Sequence, residues 1–553
     1  MGRSFAFRVL VCLLTAPAAI CGVALRSLDK QVRWPSGSLR LHLSRTVHLA
    51  DGASGVDQRD TAASVHGALI EAVQVWTRTG RAALGITTEF TDSTRVGNPG
   101  ENLVTFTDPA PYDSGLCDRN VFVACTVLFY STETGEIQNF YLAFNPYFRH
   151  SSIGLAGAYD IGTTMLHEVG HALGLDHSPV LESIMMPTVG LSTTRPGANF
   201  PQRTLSMDDV FSLAELYPLA EAAPASLLQG RVLRNGAPAR DVHVVAWHTD
   251  GRVARGALTA ADGSYSLAID PGTYLLAAEP LDGPVRGTDF IQPISAYVPF
   301  PTLFWTSEGG HGQDGEPVQV HAYETRSGLD FFAGDGAVNN IETIGLIDAG
   351  GVYRGSARVT VGRGRDYEIG FTRAPAEGEP AVRILSGSVF SEGAATSPAS
   401  IPRLVLQKIR IPADAPLGAY SLHYHSGGAG SLLAGALRVV PNPAIASVHD
   451  ALTGEPLTEA APGQLIAIRG SDLAATEVLA ERPFDGAPWP SHLGGASVRI
   501  GERFAPLKSV SAAEILVEVP AGIPGDAATL VVSTGAGIES APVTIALRPG
   551  SVQ

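Results

Sequence analysis

Apolar and polar positions change their period once along the chain, near residue 225. Before it, strand and helix patterns alternate. LRLHLS (39–44) has the two-residue alternation of a half-buried strand. DTAASVHGALIEAVQVWTRT (60–79) repeats apolar residues at three- and four-residue steps, through Val65, Leu69, Ala72, Val73 and Trp76. That spacing predicts an amphipathic helix, with Asp60 as N-cap and Gly80 as stop. Short strands are expected at 86–90, 103–107, 125–130 and 137–144. A second helix is expected over 161–173, and a third from the Ser206 cap to Pro218. After AEAAPAS (220–226), read as a linker, no helical pattern exceeds two turns. Short strands between Gly, Pro and Asp-Gly turns take over, which is the rhythm of β-sandwiches. Breaks are placed at GDGAVNN (334–340) and PNP (441–443). Asp262–Gly263 is read as a hairpin turn and Pro271–Gly272 as the next one.

Composition adds little to this picture but does not contradict it. The chain has 553 residues, 61 glycines and 38 prolines, yet 45% are hydrophobic, enough for packed cores rather than disorder. A net charge of −16 without a basic run argues against nucleic acid as a partner. The N-terminus reads as a secretory leader: Arg3 and Arg8 precede VLVCLLTAPAAICGVAL, with small residues for cleavage near Ala24. A retained membrane anchor is the plainer alternative, because the run nears the minimum spanning length. Lipid attachment at Cys21 is disfavoured by the bulky Ile20 before it. Leader removal takes Cys12 and Cys21 and leaves Cys117 and Cys125. A local disulfide is the default in an oxidising compartment, with two buried thiols as the alternative. Their spacing is too wide for a C-x2-4-C metal pair.

The candidate chemistry lies in HEVGHALGLDHS, residues 167–178. Residues four apart on a helix are separated by about 40° around its axis, so His167 and His171 project together. Glu168 sits beside the same point. Gly174, three residues after His171, can end the helix in a left-handed conformation and let the chain return with His177. Three imidazoles would hold a tetrahedral zinc with one open position, and Glu168 would serve as the base for water. The bland reading is a core helix with hydrogen-bonded histidines.

HEVGHALGLDH resembles the zinc signature of the metzincin metalloproteases, and Ser178 after the third histidine resembles the matrixin branch. SIMMP (183–187) is similar to the family's methionine turn, which implies Met185 as the supporting residue. RWP (33–35), the helix ending at Trp76 and DDVFSLAELYP (208–218) also resemble matrixin landmarks. The resemblance covers about 30–220. It implies that IQNFYLAFN (137–145) is the sheet-edge strand that pairs with an extended substrate, and that TVGLSTTRPGANFPQRTL (188–205) walls the pocket following the cut. No cysteine-switch motif is present, and the His/Asp-rich stretch for a structural zinc is missing. His150 is the only nearby histidine. Calcium at Asp108, Asp113 or Asp118 stays open beside the commoner explanation of surface carboxylates. His423 and His425 share one strand face, read as solvated rather than as a second metal site.

GRVLRNGAPARDVHVVAW with TAADGSYSLAIDPGTYLLAAEP is similar to the carboxypeptidase-regulatory-like domain. APGQLIAIRGSDLA and the segments after it resemble a C-terminal immunoglobulin-like module. The expected architecture is multidomain: an α/β metzincin catalytic domain followed by three all-β sandwich (immunoglobulin-like) domains. The boundaries are a signal peptide at 1–24, a matrixin-like zinc metalloprotease domain at 25–220, and β-sandwiches at 226–335, 338–440 and 443–548. The expected function is a secreted zinc endopeptidase, extracellular or periplasmic, monomeric, free of the membrane once the leader is gone, and acting on proteins or peptides. Its β-modules would bind an extracellular polymer or cell surface, or act as spacers. The competing reading is an adhesion or binding protein that uses the protease fold as a scaffold or only to process itself.

Overall fold

A computed structural model describes residues 7–15, 25–27, 30–48, 55–98, 100–188, 201–220, 225–290, 299–309, 315–348, 351–373, 378–386, 389–398, 400–535 and 537–548. Up to residue 220 the strands are β1 (Phe7–Thr15), β2 (Arg26–Ser27), β3 (Lys30–Gln31), β4 (Ser38–Ser44), β5 (Gly85–Thr91), β6 (Leu103–Thr105), β7 (Phe122–Ser131), β8 (Ile137–Phe144), β9 (His150–Ser151) and β10 (Tyr159–Asp160). The helices are α1 (Ala62–Thr77), α2 (Ala110–Asp113), α3 (Ile161–Ala172) and α4 (Met207–Leu216).

One six-stranded sheet runs in the order β1-β7-β8-β6-β4-β5. Strands β4, β5, β6 and β8 run parallel to one another. Strand β7 is antiparallel to β8, and β1 to β7. This order corrects the assignment of residues 137–144 as the edge. β8 is interior, β7 lies outside it, and β1 covers β7. The two strands are consecutive and similarly apolar, so local pattern does not reveal which one faces outward.

α1 packs on α3, and both pack on the sheet through Leu69, Val73, Trp76, Leu166 and Val169, against Leu41, Leu43, Val104 and Leu142. The cap of α1 is Thr61, whose hydroxyl accepts from Ser64 N at 3.1 Å. The expected cap, Asp60, instead accepts from Ser152 N at 2.8 Å, tying the start of α1 to the chain before α3. α4 begins at Ser206 as expected, with a full capping box through Asp209.

Beyond residue 225 strands dominate. Among the described residues the only helical element there is the single turn Gly287–Asp289. The sheets come in successive pairs within 226–333, 341–440 and 444–546, and each stretch has its own apolar core. In the first stretch, β11 (Ser226–Arg234), β12 (Ala237–Pro238) and β15 (Ser264–Ile269) belong to one sheet. β13 (His243–His248), β14 (Val253–Leu258) and β16 (Gly272–Glu279) belong to the other. Asp262–Gly263 therefore joins β14 to β15 across sheets, and Pro271–Gly272 joins β15 to β16 across sheets. Neither is a hairpin: turn chemistry bends the chain but does not decide whether the flanking strands pair. Among the described residues, no helix is long and apolar enough to cross a membrane.

Candidate metal centre

α3 carries the site because its sequence makes it both buried and well terminated. Asp160 caps its N-terminus, accepting from Thr163 N at 2.7 Å, and is itself paired with Arg203 at 2.7 Å. All of α3 is buried except Thr163. Two indoles brace it: Trp76 Nε1 donates to Leu166 O at 2.7 Å and Trp34 Nε1 to Ala172 O at 2.8 Å. At its end Leu175 N donates to Gly170 O (2.9 Å) and Gly174 N to His171 O (2.8 Å). This is a Schellman termination, and Gly174 supplies its left-handed residue at φ +89°.

The chain then reverses and brings His177 back to the helix. The Nε2 atoms of His167, His171 and His177 lie 2.8, 3.0 and 3.1 Å from one another, and all three rings are buried. His167 Nδ1–H donates to Ile184 O (2.7 Å) and His171 Nδ1–H to Leu175 O (2.9 Å). A carbonyl can only accept, so these bonds leave the Nε2 lone pairs free and aimed at one point. Burial also pushes His171 down to about 4, and burial with the neighbouring His171 holds His167 well below its ordinary value. Lone pairs crowded this closely repel unless a cation sits among them. Zinc–nitrogen bonds of 2.0–2.1 Å in tetrahedral array need nitrogens roughly 3.3 Å apart, near the observed spacing. The donor set fits zinc. Among the described residues this trio is the only group of three or more His, Cys, Asp or Glu side chains close enough to share an ion.

Glu168 is fully buried beside the trio. Its Oε2 accepts from Thr126 Oγ1 of β7 at 2.5 Å, and its Oε1 has no protein partner among the described residues. Burial pushes its carboxyl up to about 8, against the opposing pull of the Thr126 hydrogen bonds. Met185 lies beneath the helix. A Cβ on Gly170 would collide with Met185 Sδ, so glycine is what lets the two approach. Ser178 N donates to Met185 O at 2.8 Å and closes the loop between them.

The remaining candidates lie elsewhere. Cys117 and Cys125 are joined as a disulfide at the start of β7. Asp108 accepts from Val96 N and Ala110 N, Asp113 from Tyr147 Oη, and Asp118 from Asn120 N; the three do not form a shared ion site. His150 is buried among Phe106, Phe144 and Tyr159 and donates to Asn145 O. His423 is half-buried on Phe304 while His425 is exposed, so that strand face is only partly solvated. Residues 189–200, most of the expected pocket wall, and 16–24, around the expected leader cleavage, fall outside the described residues. A cavity of about 240 Å³ lies away from the histidines, between α1 and residues 475–495, with Glu71, Arg203, Arg358 and His492 in its wall.

Sequence reasoning missed Thr126, Asp208, Asp209 and Arg255. Asp209 accepts from Ile184 N (3.0 Å), Met185 N (3.3 Å), Ser206 N (2.7 Å) and the Ser183 hydroxyl, so one buried carboxylate fixes the methionine loop to α4. The adjacent acids at 208–209 were the available signal, but they read equally well as favourable first-turn charges.

Residues 59–218 match the matrixin family of peptidases. That match supports a metallopeptidase segment and covers less than a third of the chain. No curated protein matches the chain. Among solved structures, the titin fragment I67–I69 is 9% identical with a TM-score of 0.19, over 59% of this chain and 99% of the fragment. The Bacteroides ovatus mixed-linkage glucan utilization locus protein SGBP-B, solved with a mixed-linkage heptasaccharide, is 12% identical with a TM-score of 0.17. That alignment spans 58% of this chain and 66% of SGBP-B. The eight N-terminal immunoglobulin domains of Down Syndrome Cell Adhesion Molecule are 12% identical with a TM-score of 0.13, over 59% and 40%.

Proposed function

We propose that residues 25–220 form a zinc-dependent endopeptidase, secreted behind a leader at 1–24 and followed by three immunoglobulin-like sandwich domains at 226–335, 338–440 and 443–548. The observation that carries the proposal is the convergence of three buried imidazole nitrogens, with Glu168 next to the first of them on α3. Zinc bound there would supply a Lewis acid and make solvent at the site easier to deprotonate. Glu168 takes a proton from the attacking water and returns it to the leaving amine. A buried carboxylate of raised proton affinity suits a group that must do both. Thr126 holds that carboxylate from β7 while leaving its other oxygen available.

β7 gives the substrate a place. Phe7–Thr15 pairs along it, antiparallel, from Phe7 opposite Ser131 to Thr15 opposite Phe122. With the leader gone, the same backbone groups would take an extended peptide as an added strand. That pairing also supports a second reading, in which the chain trims itself.

Hydrolysis of casein or gelatin by the mature protein, with and without a chelator and beside Glu168→Ala, tests the proposal. The expected result is zinc-dependent hydrolysis lowered on the order of 10³-fold by the substitution, with zinc retained. Hydrolysis that survives both treatments removes it. Self-trimming would appear instead as product lost from the chain itself with added protein left intact.

A further inference from the structure

The loop that delivers the third histidine is held from outside its own segment. Ser178, directly after His177, donates its hydroxyl to Asp208 Oδ2 at 2.6 Å. The other oxygen of that carboxylate belongs to the next segment: Asp208 Oδ1 accepts from Arg255 Nη1 at 2.9 Å and from Gly256 N at 3.0 Å. Arg255 is itself buried. It also donates to Asp208 O (2.9 Å) and Ser212 Oγ (2.6 Å), and from Nη2 to Glu215 (3.0 Å). A third stretch of chain grips the same loop further on. Leu181 N donates to Ala434 O at 2.8 Å, and Arg358 Nη1 donates to Leu181 O at 2.9 Å. Leu181 and Met186 lie in the apolar core built by Ile344, Leu346, Leu433 and Leu437, not in the core under α3.

We infer that residues 226–440 are a working part of the metal centre, with Arg255 as the positioning residue that fixes the His177 loop through Asp208 and Ser178. The inference rests on the zinc reading above for its purpose, but not for its geometry. A spacer would touch the catalytic segment at its surface. Here a guanidinium replaces water as the partner of a buried carboxylate two bonds of contact from a ligand. Truncating it leaves Asp208 buried without its cation, and the carboxylate must then seek solvent and pull Ser178 with it. The first β-segment therefore cannot be removed without loosening the third ligand.

The test uses the full-length mature chain with Arg255→Ala, Arg255→Lys and, as control, Asp270→Ala. Asp270 pairs with Arg81 at 2.5 Å, a different ion pair across the same two segments. Two readouts are taken: amide hydrogen exchange of residues 178–186 in metal-free protein, and the rate of zinc loss to a chromogenic chelator. Arg255→Ala is expected to speed exchange in the loop and zinc loss about ten-fold, as outer-shell partners of metal ligands do. Arg255→Lys should restore part of both, since it keeps the charge but not the fork, and Asp270→Ala should match wild type. The inference is overturned if Arg255→Ala leaves loop exchange unchanged, or if Asp270→Ala loosens the loop equally. A wild-type chain that holds no zinc would remove the protease reading, while the exchange data would still decide this one.

Discussion

Two regions supply the three histidines, and they are built by different means. α3 carries His167 and His171 on a helix that is capped, braced and terminated within residues 25–220: Asp160 at its start, Trp34 and Trp76 along it, Gly174 at its end. The loop at 175–187 has no ladder of its own. Its Ile184 and Met185 amides reach Asp209, its turn closes on Met185, and its far side is held by Arg255 through Asp208, by Ala434 and by Arg358. A helix satisfies its backbone internally, so it needs neighbours chiefly for burial. A buried loop satisfies only part of its backbone internally and must borrow partners for the rest. The loop histidine, His177, is therefore the one exposed to events elsewhere in the chain.

Substitutions can break this contrast in graded ways. On the proposed function, the largest effect falls at the shared chemistry, where Glu168→Ala is expected to lower casein hydrolysis on the order of 10³-fold with both supports left in place. Next is Asp209→Ala, which strands the Ile184 and Ser206 amides and the Ser183 hydroxyl together. It should destabilise residues 25–220 by about 3 kcal/mol in thermal or denaturant unfolding and, if the trio holds zinc as proposed, lower zinc retention as well. Trp76→Phe removes one hydrogen bond from α1 to α3, the indole donating to Leu166 O, and some packing volume. It should cost about 1–2 kcal/mol with zinc retention little changed, because the helix keeps its own ladder. Equal loss of zinc in the two variants would erase the distinction between the regions.

The smallest effect at neutral pH is electrostatic and lies behind α3. Burial holds His150 down to about 4, below its ordinary 6.5, so the unfolded chain binds a proton there that the folded chain refuses. Its stability contribution is whole above pH 6.5 and is lost as pH falls toward 4. The loss approaches about 1.4 kcal/mol per unit once the pH is well below 6.5. Unfolding followed from pH 7 to 4.5 should show this slope, and His150→Gln should reduce it by one proton.

Much of the helix region was legible in advance because its signals are local. Four-residue spacing, a following glycine and a capping serine at 206 each act within one or two turns, and α3 and α4 lie where those signals put them. Errors came where partners are chosen at a distance. Asp60 has the chemistry of a cap, but Ser152 claims it and Thr61 caps instead. Residues 137–144 read as an edge and lie inside the sheet. The turns at 262–263 and 271–272 bend the chain without pairing their flanks.

The amino-acid order by itself determined which atoms could hold a metal, since the helix period brings His167 and His171 together and glycine permits the reversal toward His177. Only the tertiary structure decided what keeps that third imidazole in place. Ionic and hydrogen-bond partners such as Asp208 with Arg255 are brought together by packing, not by sequence spacing. A carboxylate buried away from water takes whichever cation the folded chain presents to it.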